Sequence, residues 1–172
     1  MRAAWHGAVV AVVVVVLSGM VAAQSRKDPT PPTPQSEEIV VGAWQLDLAQ
    51  SHYQPGPAPR QETRTYEPGH EGLHATILTT DPQGQTHSIE YVASYNDVVA
   101  VVTGSNEVDA IKLRKIDDRT AEATLSYMGN VVGTARRVIA PDGRTMTITF
   151  QRDAPSKVEN VAVYRKIVTP GS

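Results

Sequence analysis

The sequence predicts an all-β protein: an antiparallel up-and-down β-barrel of about 8–10 strands with no helical lid. Three observations predict it. Apolar and polar residues alternate with period two in one segment after another from Ile39 onward, the mark of strands with one buried face. Turn-forming clusters recur at short intervals, so neighbouring strands should pair antiparallel. No stretch carries the period of an amphipathic helix. Left open, a sheet of that many strands would expose two long edges; closure removes them. A two-sheet sandwich is the competing architecture. Its crossovers usually need longer connections, and the only long one here is residues 50–60.

Residues 1–23 have the layout of a secretory signal peptide. Arg2 supplies the positive end, residues 8–17 the apolar run, and Val21, Ala22 and Ala23 the small residues of a cleavage site. The competing reading is an uncleaved anchor, but Ser18 and Gly19 break the run, which is short for a span of about 20 residues. The expectation is an exported chain, periplasmic or secreted, with no stable membrane span after cleavage. Residues 24–38, "QSRKDPTPPTPQSEE", are polar and proline-rich and read as a disordered linker.

The first strand follows. Val40, Gly42, Trp44, Leu46 and Leu48 fall on one face, with Gln45 and Asp47 on the other. "QSHYQPGPAPR" at 50–60 reads as a stiff loop. Nine further segments rich in Thr, Val, Ile and Tyr begin at residues 61, 73, 86, 98, 108, 120, 131, 144 and 157. Between them lie "EPGHEG", "DPQG", "YND", "TGSN", "DDR", "MGN", "PDG" and "DAPS", residues that tolerate or preset turn dihedrals. Residues 169–172 read as a flexible tail.

Removal of the leader leaves about 149 residues, enough for one domain with a sizeable core. There is no cysteine, hence no disulfide, no thiolate metal site and no lipid-anchored cysteine. The formal net charge of −2 argues against nucleic acid as a partner, because phosphate binding needs a concentrated basic face.

Gly42-Ala43-Trp44 at the start of the first strand matches the G-x-W signature of the calycins, the lipocalins and fatty-acid-binding proteins. "VAVYRKI" at 161–167 resembles the closing strand of those barrels. Residues 40–167 as a whole resemble a group of small exported bacterial lipocalin-like proteins. The resemblance implies a lipocalin-like barrel over residues 39–168. It also implies a structural signature of Gly42, Trp44 and Arg165, with the tryptophan plugging the closed end against that arginine. The chain departs from the family in two ways. Residues 50–60 are too short and proline-rich for the helical lid of a fatty-acid-binding protein, and the end "TPGS" holds no C-terminal helix.

Nothing in the sequence marks catalysis. There is no nucleophile elbow, phosphate loop, dinucleotide fingerprint or zinc-protease helix, and the carboxylates are scattered at turns. Beyond His6 in the leader, the histidines are His52, His70, His74 and His87. A hairpin at "DPQG" places His74 opposite a residue near 92 and His87 opposite one near 79, so they do not converge as metal ligands would. No cofactor, metal or enzymatic activity is expected.

Strand faces are more informative. If the barrel holds a cavity, Arg64, Tyr66, Tyr91, Tyr127 and one of Arg136 or Arg137, with Arg136 preferred, are the candidates for lining it. They offer a cation and hydroxyls to an anionic headgroup, so the expected partner is a small hydrophobic or amphipathic ligand, bound without catalysis. The competing expectation for the arginines is an outer face, paired with Asp and Glu, because a buried lone arginine is costly. The alternative function is an envelope interaction module: a filled barrel with an exposed apolar rim around Tyr53 and the "PGPAP" loop.

Overall fold

The alternating segments become a closed wall. The computed structural model describes residues 39–152 and 157–168. The expected leader at 1–23, linker at 24–38 and tail at 169–172 lie outside the described residues, as does the "DAPS" turn. The strands are β1 (Gly42–Leu46), β2 (His52–Gln54), β3 (Gln61–Gly69), β4 (Gly72–Thr80), β5 (Thr86–Ala93) and β6 (Asn96–Thr103), then β7 (Ala110–Lys115), β8 (Thr120–Tyr127), β9 (Asn130–Ile139), β10 (Thr145–Arg152) and β11 (Val158–Lys166). Each long strand pairs antiparallel with the next, and β1 pairs with both β3 and β11, which closes a ten-stranded up-and-down barrel. No described helix is long and apolar enough to cross a membrane.

The segment read as a plain loop at 50–60 is more ordered than that. A single 3-10 turn, Leu48–Gln50, ends the first strand's inward alternation, which is why Leu48 is exposed while Leu46 is buried. The chain then returns to β11 as the three-residue β2, too short to leave a period in the sequence.

In an up-and-down barrel the turns gather at two ends. The floor holds residues 39–41 and the β3–β4, β5–β6, β7–β8 and β9–β10 turns. The mouth holds β2, residues 55–60, the β4–β5 and β8–β9 turns and residues 104–109. The core is the inward row of each strand: Trp44 and Leu46, Leu73, Ala75 and Ile77, Ile111 and Leu113, Met146 and Ile148, Ala162 and Tyr164. The β4–β5 register pairs His74 with Val92 and His87 with Thr79, as a turn at "DPQG" predicts.

One seam is weak. Most neighbouring strands share four to nine paired positions, but β5 and β6 share two, Glu90 with Thr103 and Tyr91 with Val102. Beyond Tyr91, towards the floor, the two strands do not pair. Gly104 pins the other side of this seam. Its φ is +80°, and a Cβ there would lie 1.9 Å from the Ser88 carbonyl oxygen, so only glycine fits.

Candidate functional site

A cavity of about 290 Å³ occupies the barrel between Trp44 and the mouth. Its walls are mostly apolar, with Ile77, Ile89, Leu113, Ile148 and Phe150 among them. Two arginines enter it from different strands, in different electrostatic settings.

The first is Arg64 on β3. Period-two alternation puts Glu62, Arg64 and Tyr66 on the same inward face. Arg64 Nε donates to Glu62 Oε1 at 2.7 Å and approaches the Tyr164 hydroxyl at 3.0 Å. Tyr164 in turn donates to Glu62 Oε1 at 2.7 Å, and Thr79 donates to Glu62 Oε2 at 3.1 Å. Burial alone pushes the Glu62 carboxyl up. The Arg64 charge and the hydrogen bonds from Tyr164, Arg64 and Thr79 outweigh it and hold the carboxyl below its ordinary 4.5. Burial pushes the Tyr53 hydroxyl up to about 12 and raises Tyr91 and Tyr164 as well, so all three are neutral at physiological pH. The Glu62–Arg64 charges cancel, and this wall of the cavity is polar but neutral.

The second is Arg137 on β9. It points inward and has no carboxylate partner in any ion pair among the described residues. One Nη donates to the Tyr95 hydroxyl, and the guanidinium lies over the Tyr66 and Tyr95 rings at 5.4 and 5.6 Å. Its Nε is buried without a hydrogen-bond partner. Arginine stays charged in proteins, so among the described residues that line the cavity Arg137 is a cation without a carboxylate in an ion pair with it.

The sequence-derived candidates divide accordingly. Arg64, Tyr66 and Tyr91 line the cavity. Arg136 does not: it lies on the outer face, where Glu122 accepts from both Arg136 at 2.7 Å and Arg114 at 2.6 Å. The alternation is strict here, so its neighbour Arg137 takes the inward place. Tyr127 sits at the β8–β9 hairpin, opposite Asn130, and is not part of the lining.

Arg165 also lies outside, bonded to Asp47 and Thr145. Lys166 is the residue opposite Trp44 in the β1–β11 register, and its Nζ sits 5.2 Å from the indole centroid. The cation on the tryptophan is therefore one residue further along than the resemblance implied. Gly42 stands beside it, with φ of +118° and the Lys166 side chain packed against the space a Cβ would fill.

Glu62, Tyr164 and Tyr53 are part of the site that sequence reasoning missed. Glu62 was readable, because it shares the parity of Arg64 and Tyr66. Tyr53 points into the cavity rather than forming an exposed rim. The exposed apolar side chains instead include Val99 and Val101 on the outer face of β6.

A second recess, of about 730 Å³, lies at the floor, among residues 39–41, the β3–β4 turn, Tyr95 and Lys115. Among the described residues no group of three or more histidines and carboxylates could hold a metal ion. The fold and interior together define a closed ten-stranded antiparallel barrel with a partly polar cavity. No protein-family model matches the chain, and no curated protein matches it either.

Proposed function

We propose that this barrel binds a small amphipathic anion in its interior, without catalysis, with the headgroup on Arg137. One observation carries the reading: a guanidinium that faces an apolar cavity, has no carboxylate and keeps an unbonded Nε. A buried charge left unpaired costs several kcal/mol. A carboxylate or sulfonate would remove that cost by a two-pronged hydrogen bond. Tyr66 and Tyr91 offer hydroxyls to the same space, and the apolar wall suits a hydrocarbon chain or ring. The volume is near the lower end of ligand pockets, which favours a short chain. The G-x-W start and the tryptophan under a basic residue support a calycin-type reading, in which such barrels carry small ligands. The leader at 1–23 supports export, to the periplasm or the medium.

The test is titration with decanoate and with decanol, its neutral counterpart. Wild type should bind decanoate more tightly. Arg137→Gln should lose about ten- to a hundred-fold for decanoate, the range of one hydrogen bond to a charged group, with little change for decanol. Equal affinity of wild type and variant for decanoate would refute the headgroup assignment.

A further inference from the structure

Arg137 lines both the central cavity and the floor recess, and the small side chain of Ala121 is the other residue common to both. The guanidinium is therefore the side chain with reach in the partition between them. One face of it rests on Tyr66, which is buried in the middle of β3 and fixed there. Its other support is Tyr95, which receives its hydrogen bond. Tyr95 sits on the β5–β6 turn, next to the unpaired stretch of the weak seam. Two residues on, Asp97 holds a φ of 61°, a conformation that costs a non-glycine residue free energy.

The partition thus has one side in the middle of a strand and one on a turn, where Ser94 Oγ donates to the Glu71 carbonyl at 2.8 Å and the β5–β6 ladder has already ended. The rest of the floor is shut by Trp44, which is fully buried, with Val40 below it and Lys166 over its ring. Around the recess other charges already have partners. Lys115 pairs with Asp118 at 3.0 Å, and Asp117 accepts from the Arg119 and Thr120 amides. Arg137 remains the cation that an incoming anion would meet.

We infer that Tyr95 is a gate: an anionic headgroup enters from the floor recess, replaces the Tyr95 hydroxyl on Arg137, and the β5–β6 turn swings aside to admit the apolar part. This rests on the ligand reading above and adds the route. The exchange replaces a neutral acceptor with a charged one on the same guanidinium, which is the stronger bond. Entry is therefore driven by the ligand's charge, and a neutral amphiphile, without that exchange, enters more slowly.

Stopped-flow mixing of the full chain with anilinonaphthalene sulfonate tests this. Tyr95→Phe keeps the ring and removes the competing hydroxyl. Its association rate should rise roughly ten-fold, the factor carried by one hydrogen bond to a charged group, while its thermal midpoint stays close to wild type. Tyr95→Trp, with a bulkier ring on the same turn, should slow entry. Rates unchanged in both variants would overturn the gate and leave the ligand reading standing. Wild type that takes up neither the probe nor decanoate would overturn both.

Discussion

Trp44 has no exposed surface, and its indole N–H donates to the Val40 carbonyl at 2.7 Å. Replacing it with alanine removes a large buried ring and strands the Lys166 ammonium above a void. Trp44→Ala should lose roughly 3–5 kcal/mol of stability, read from urea midpoints. Glu62 makes a different prediction. Its folded pKa lies below 4.5, so its contribution to stability is present above that value and is lost as pH falls through the folded one. Glu62→Gln, by leaving Arg64 buried without its counter-charge, should lose about 3–5 kcal/mol near neutral pH. Thermal melts of the two proteins should converge only once the pH has fallen through the folded pKa of Glu62, which lies below 4.5. At this scale the sequence was legible wherever parity alone decides. It said that one of Arg136 and Arg137 must face inward, but not which, since that depends on register. A one-residue difference in register likewise separates Arg165, outside, from Lys166 over Trp44.

The strands were legible because their alternation is long and their turns carry Gly, Pro, Asn and Asp. The 3-10 turn and β2 were not, because three residues hold no period. The weak β5–β6 seam was also hidden. Its sequence, with Val92, Val99 and Val101, reads like any other strand pair, and the short ladder lies between the close approach at Gly104 and the positive φ of Asp97. Gly104→Ala tests that account at the level of the strand pair. The added methyl meets the Ser88 carbonyl and the φ is unfavourable, so the loss should exceed about 1 kcal/mol. Hydrogen exchange should show that loss concentrated in the amides of β5 and β6. An equal loss of protection across all strands would contradict it.

Closure depends on β11, which pairs with β1, β2 and β10. A chain ending at residue 157 would leave β10 and β1 as bare edges and should aggregate rather than run as a folded monomer in size-exclusion chromatography. This dependence was legible in outline, since a ten-strand meander must close. The cavity was not, because whether a barrel of this size is filled depends on how side chains from strands far apart in sequence meet. Glu62 and Tyr164 are 102 residues apart.

The short β5–β6 ladder has a mechanical consequence. On its other side, the β3–β4–β5 panel is joined to the barrel through β1, by four paired positions between Gly42 and Gln45. The panel is thus a stiff sheet held between two narrow joints, one half the length of the other. It carries Glu62, Arg64, Tyr66 and Tyr91, while Arg137 and Tyr164 stand on the opposite part of the wall. A rotation of the panel about its two joints would change the distance between the Glu62–Arg64 pair and Arg137. The width of the interior is therefore set at these two joints as well as by the side chains that fill it.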